Sequence, residues 1–272
     1  FYRVDQNLYV DISHLLSIIN KNVKAILFID YFGASQKERL STTIEFLNSK
    51  NIIIIQDIVQ CLHLDKDKMF GDYIFNSFRK FFPFEGSVLL SKKEINISYS
   101  RRACSKFVLN KRMGQVLRYV HINYGMFSSS SFLKFFKTAD DNYYDESIYK
   151  MSKTSRAILK KFDFDLLIDT QKKYYQYLLT DFGNYVPELL NNLRFVPLGF
   201  VIVVPGRDVL RKKLFLENIY PPVHWILSDE IDDQLFSESI ALSKSILTIP
   251  ISYLNNEKFD YLISKLQNHL KL

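Results

Sequence analysis

The sequence predicts an α/β protein, with a large domain around a mainly parallel sheet and a smaller α+β domain after it. The first observation is a pair of apolar runs, Ala25-Ile-Leu-Phe-Ile29 and Ile52-Ile-Ile-Ile55. Both are short and lack polar alternation, as strands of a parallel sheet covered on both faces do. The second is an amphipathic helical pattern between them, giving strand, helix, strand. The third is a change of pattern from about Pro197, where strands and helices compose a smaller α+β unit. The expected division is a large domain over 1–192, with a helical insertion at about 96–150, and a small α+β domain over 193–272.

Taken in order, Asp11 is a side-chain cap for a helix reaching about residue 20, with Ile12, Leu15, Leu16 and Ile19 on its apolar face. A buried strand follows at 25–30, then a loop at 31–35. Residues 36–49 read as a helix with Leu40, Ile44 and Leu47 inward. The second strand covers 51–56 and ends at Asp57. Short strands are expected at 73–76 and 87–90. The insertion mixes basic and aromatic residues and carries an acidic, tyrosine-rich patch at 140–146. Residues 151–179 read as one helix with Ile158, Leu159, Leu166 and Leu167 on a face. A strand at 198–204, a helix at 207–218, a Pro-rich loop at 220–225, a helix to about 244, a strand at 246–249 and a helix to 270 complete the chain.

Composition removes several function classes. The eight glycines are never closer than seven residues apart. That spacing excludes a Gly-rich dinucleotide fingerprint and a Walker-type phosphate loop. HExxH, CxxC and Gly-x-Ser-x-Gly motifs are absent, so no metal site and no nucleophile elbow is expected. Aliphatic runs such as 52–55 are far below the roughly 20 apolar residues of a membrane span. Two cysteines, Cys61 and Cys104, fit a reducing cytoplasm. Lys plus Arg number 36 against 29 Asp plus Glu, for a net charge of +7. An anionic partner is one reading, and that net charge with a basic cluster at 101–118 is the only support for nucleic acid. A lysine-rich solvated surface is the simpler account.

In an open parallel sheet, ligands collect beyond the carboxyl ends of the strands. Asp57 stands at one such end, and Ser77, Arg79 and Lys80 at the next. On spacing alone, a salt bridge or two unrelated loop charges would account for them. The wording of the segments says more: Ile54-Ile-Gln-Asp-Ile-Val-Gln-Cys61, Gly71-Asp-Tyr-Ile-Phe-Asn-Ser-Phe-Arg-Lys80 and Phe81-Phe-Pro-Phe-Glu-Gly-Ser-Val-Leu-Leu90. Their order and spacing resemble the core of the DegT/DnrJ sugar aminotransferases, fold type I enzymes dependent on pyridoxal phosphate. Ile29-Asp-Tyr-Phe-Gly33, Ile219-Tyr-Pro-Pro-Val-His-Trp225 and Ile246-Leu-Thr-Ile-Pro250 resemble further segments of one branch.

The resemblance implies roles for individual residues. Lys80 is the Schiff-base lysine and the general acid/base. Asp57 faces the pyridine nitrogen and keeps it protonated. Gln60 reaches the ring hydroxyl, and Ser77 donates to the phosphate. Arg79 is a candidate for phosphate or for lowering the lysine's pKa, with a surface structural role as its alternative. His224 is a candidate substrate contact, with a packed histidine as its alternative, and His63 reads as structural. The implied partners are an amino donor, glutamate by resemblance, and a keto sugar linked to a nucleotide, handled by a cytoplasmic homodimer. Nucleic acid and membrane are not expected partners.

Departures matter too. Gln56 stands where the pattern has Glu, and Ser87 where it has a turn glycine. Thr170-Gln-Lys-Lys-Tyr-Tyr175 lacks the Arg and Asn of the corresponding family helix. The chain begins at Phe1, and the family's N-terminal portion, with its phosphate-binding turn and ring-stacking aromatic residue, is expected to be missing. These departures keep a second reading open, an inactive or truncated homologue with a regulatory or interaction role.

Overall fold

A computed structural model describes residues 1–62, 65–82, 84–96, 98, 103–142, 148–192, 194–225, 227 and 231–270. The chain divides into two compact units, Phe1–Ile74 with Phe164–Leu272, and Phe75–Asp163.

In the first unit, α1 (Ile12–Ile18) begins where Asp11 accepts the His14 N–H in its side chain. β1 (Ala25–Ile29) and β2 (Ile53–Asp57) pair in parallel, Ile29 opposite Asp57. α2 (Ser41–Ser49) connects them and buries Thr43 and Leu47. It starts five residues later than the periodicity suggests. The chain entering β3 (Tyr73–Phe75) runs beside β2, where Asp72 N–H donates to the Ile54 carbonyl at 2.7 Å. The Asp72 carboxylate takes the Ile54 N–H at 2.9 Å in return.

Ile26, Phe28 and Ile54 are buried with Leu15, Leu40 and Leu47 in one core. The expectation that both faces of these strands are covered is not met. Leu27 is 43% exposed and Ile53 41%. The unbroken apolar runs therefore alternate in burial as a one-sided sheet does.

The larger core of this unit combines C-terminal elements with α6 (Phe164–Phe182). β5 (Phe200–Val203) pairs antiparallel with β6 (Ile246–Ile249), and both strands are buried almost throughout. α7 (Arg207–Leu216), α8 (Ser237–Ser245) and α9 (Asn256–Leu270) contribute Leu214, Leu242 and Leu266. Tyr175, fully buried, donates its hydroxyl to the Leu190 carbonyl at 2.8 Å. Among the described residues, no helix is long and apolar enough to cross a membrane.

The second unit begins within β3 (Tyr73–Phe75), continues through a turn, and returns as β4 (Leu89–Ser91). Asn76 joins the returning chain twice, by its N–H to the Val88 carbonyl and by its side chain from the Val88 N–H. α3 (Ser105–Tyr124) and α4 (Ser129–Asp141) form a helical pair. Gly114 lets them approach, since a Cβ there would lie 2.6 Å from the Phe136 ring. The single helix expected at 151–179 is two, α5 (Lys153–Lys161) and α6, broken at Phe162. Phe162 takes an extended conformation and sets its ring edge-on to Phe82 at 4.8 Å. Of the face read for that helix, Ile158 and Leu166 are exposed and Leu167 is buried.

Candidate active site

Asp57 closes β2 at the carboxyl end of the parallel pair, where its carbonyl accepts the Asp30 N–H at 2.9 Å. Its Oδ1 accepts the Val59 N–H at 2.8 Å, which fixes the carboxylate against the chain leaving the strand. The side chain is half-buried. Burial and the nearby Asp57 charge push the Tyr31 hydroxyl up to about 12, because both penalise a phenolate.

Gln60 is buried and already employed. Its Oε1 accepts the Phe32 N–H at 2.6 Å. That bond holds the 3-10 turn Tyr31–Gly33, in which Phe32 adopts φ +56. The implied contact to a ring hydroxyl is therefore left to the amide nitrogen.

His224 is half-buried, with its ring edge-on to Phe32 at 5.6 Å and tilted against Trp225 at 5.7 Å. Trp225 in turn meets Tyr31 at 4.9 Å. The Pro-rich loop is thus tied to the turn after β1 by aromatic packing, the structural alternative for His224.

The lysine segment lies in the second unit. Ser77 precedes the 3-10 turn Phe78–Lys80 and makes no capping bond with its hydroxyl. Phe78 is buried, so Arg79 and Lys80 turn outward, and both are exposed. The turn is pinned from below. Phe78 N–H donates to the Gly86 carbonyl at 3.0 Å, and Phe82 N–H to the Phe78 carbonyl at 2.8 Å.

Gly86 sits at φ +137, and a Cβ there would lie 1.8 Å from Met151 Cε. Glu85 beside it accepts the Ser152 N–H at 3.0 Å and the Ser155 hydroxyl at 2.8 Å. Burial raises the Glu85 carboxyl, but these bonds outweigh it and hold the group below its ordinary value. Arg79 reaches toward Asp140 of α4 at 3.9 Å, a carboxylate that also has Lys111 at 3.8 Å. A long, exposed pair of this kind contributes little stability. His63 and Arg101 lie outside the described residues.

Sequence reasoning singled out no role for Asp30. It follows β1 and is buried, at 4% exposure. Its Oδ2 accepts from Gln56 Nε2 at 2.9 Å. Gln56 is saturated: Nε2 also donates to the Lys68 carbonyl, and Oε1 accepts the Phe70 and Gly71 N–H groups. Burial pushes the Asp30 carboxyl up to about 7; the Gln56 bond and Lys68 oppose the rise, and Asp57 adds to it. The Cys61 thiol is raised by burial, then by Asp30 and Asp57. The only early signal was Asp30 itself, within the Ile29-Asp-Tyr-Phe-Gly33 loop.

The sequence matches no protein-family model and no curated protein. Its likeness is to solved structures. A DegT/DnrJ aminotransferase from Brucella abortus is 19% identical, with 100% of this chain covering 73% of that one at a TM-score of 0.64. A sugar aminotransferase from Micromonospora echinospora is 11% identical, with 97% and 73% covered, also at 0.64. The Escherichia coli GDP-4-keto-6-deoxy-D-mannose-3-dehydratase, solved with hydrated pyridoxal phosphate, is 16% identical, with 98% and 73% covered, at 0.60. The chain thus has the fold of the DegT/DnrJ fold type I transferases, the fold its strand-end motifs implied.

Proposed function

We propose that the protein is a pyridoxal-phosphate-dependent aminotransferase that moves an amino group from an amino acid, glutamate being the expected donor, to a keto sugar linked to a nucleotide. What supports this is the fold likeness over nearly the whole chain together with the order of Asp57, Ser77 and Lys80 along it. The donor set suits the cofactor: a carboxylate held at the end of a parallel strand, and a serine and an exposed lysine on a pinned turn. When bound, the cofactor supplies an electron sink for carbanion chemistry.

The protein's own tasks follow. Asp57 Oδ atoms hold a proton on the pyridine nitrogen. Ser77 orients the phosphate, and Gln60 the ring hydroxyl through its amide nitrogen. Lys80 Nζ would hold the cofactor through its aldehyde and, once the donor's amine has displaced it, would be free to move the proton between the two carbons that exchange it. The reading further includes a large domain over 1–192 and a small one over 193–272. It also includes a cytoplasmic homodimer serving amino-sugar or surface-polysaccharide synthesis.

Adding pyridoxal phosphate to the purified protein is expected to produce a visible absorbance band. Borohydride should then fix the cofactor mass on Lys80. Lys80→Ala should give neither. Wild-type protein that takes up no cofactor would refute the reading, and uptake without any half-reaction toward glutamate would favour the inactive homologue.

A further inference from the structure

A cavity of about 170 Å³ lies in the first unit, lined by Asp30, Cys61, Lys68, Lys172, Arg194 and Val196 among others. Asp57 does not line it. Gln56 and Ile58, its neighbours along the chain, do.

Asp30 contributes a buried carboxylate with one oxygen committed to Gln56. The other oxygen takes no hydrogen bond among the described residues, and the residue lines the cavity. A buried carboxylate with a single neutral donor is costly and calls for a cation. The wall cations do not all answer. Lys68 Nζ lies 3.5 Å from Asp65, and Arg194 Nη1 lies 3.2 Å from Glu38. Lys172 of α6 is half-buried and makes no ion pair among the described residues. The cavity therefore has on one wall a buried acid that the charge of Lys68 eases without an ion pair among the described residues, and on another a half-buried lysine, with Ile58, Leu62 and Phe195 among the apolar groups that line it.

We propose that this cavity binds a small α-amino acid, its ammonium on the open oxygen of Asp30 and its carboxylate on Lys172. The size agrees, because an engineered cavity of about 150 Å³ accepts benzene, a ligand of about six heavy atoms, and alanine has the same count. The ammonium and carboxylate meet the buried acid and the half-buried lysine at once, which neither a simple amine nor a simple acid does. The site does not depend on the transaminase reading.

Calorimetric titration of the full chain with L-alanine, methylammonium and acetate tests it. L-alanine should bind at least about tenfold more tightly than either single-charge probe, a difference of roughly 1.4 kcal/mol. Asp30→Asn and Lys172→Met should each weaken alanine by about tenfold or more, and Lys80→Ala should leave it unchanged. Lys172 sits at the edge of the core, so its variant serves even if the Asp30 variant folds poorly. The proposal is overturned if alanine gives no saturable heat, if acetate binds as well, or if alanine binding falls with Lys80→Ala and survives Asp30→Asn.

Discussion

Asp30→Asn gives the sharpest test of the electrostatics around the β1 and β2 ends. The carboxyl is 4% exposed and its pKa rises from 3.8 to about 7, chiefly through burial. A carboxyl that holds its proton more tightly folded than unfolded stabilises the fold only while protonated. Its contribution is fully present below the unfolded value and is lost as pH rises through the folded one. The shift of about three units corresponds to about 4 kcal/mol at about 1.36 kcal/mol per unit. Asparagine keeps the shape and can still accept from Gln56 Nε2, but it does not titrate. The stability of the variant minus that of the wild type should therefore grow by roughly 3 kcal/mol between about pH 5 and about pH 8. Urea unfolding at several pH values measures this difference directly and cancels the titrating groups that do not interact with Asp30. A difference that stays flat over that range would refute the claim that Asp30 is a buried, poorly compensated acid.

Three further variants test how the turn after β1 and the lysine turn are each held. Gln60→Leu strands the buried Phe32 N–H, which now donates to Gln60 at 2.6 Å. It should cost about 1–3 kcal/mol in urea unfolding, and a loss below a few tenths would show that the bond does not hold the turn. Gly86→Ala puts a Cβ 1.8 Å from Met151 Cε at φ +137. Backbone strain of about 1–3 kcal/mol should persist in the double variant with Met151→Ala, while the steric part is relieved; complete rescue would mean that strain at Gly86 is negligible. Glu85→Ala removes the acceptor of Ser152 and Ser155 and should cost about 1–3 kcal/mol. Faster proteolysis near Met151 than in wild type is the accompanying sign, and unchanged cleavage would speak against Glu85 as the pin.

Much of the fold was legible because local patterns matched tertiary demands. Asp11 capped its helix, β6 fell on residues 246–249 as read, and the two aliphatic runs became parallel neighbours. The misreadings share one cause. An apolar run reports what a segment could bury and not what covers it. Leu27 and Ile53 belong to runs that look buried on both sides, yet both are exposed. Ile158 and Leu166 fit one helical stripe in sequence but fall on separate helices, because Phe162 leaves the helix to pack on Phe82.

Site residues divide along the same line. Asp57, Ser77 and Lys80, the residues proposed to hold the cofactor, could be proposed from sequence because they stand at strand ends within short, ordered motifs. Asp30 could not, because its meaning comes from Gln56, 26 residues away, and from a cavity whose other walls include Lys172 and Arg194. The departure at Gln56 bears on this directly. A glutamate there would set a second carboxylate within hydrogen-bond distance of the Asp30 carboxylate, two buried like charges that could not both ionise cheaply. Glutamine instead donates to Asp30 and accepts the Phe70 and Gly71 N–H groups with its other end. Gln56 and Asp30 therefore make sense as a matched pair, each explaining why the other is tolerated. Reverting Gln56 to Glu alone should destabilise the protein by at least about 1–3 kcal/mol, the cost of disrupting a buried hydrogen-bonded group. Combining it with Asp30→Asn should restore much of that loss, because the amide then supplies the donor that the glutamine had provided. If the double variant is no more stable than the single one, the two positions are independent and the pairing argument fails.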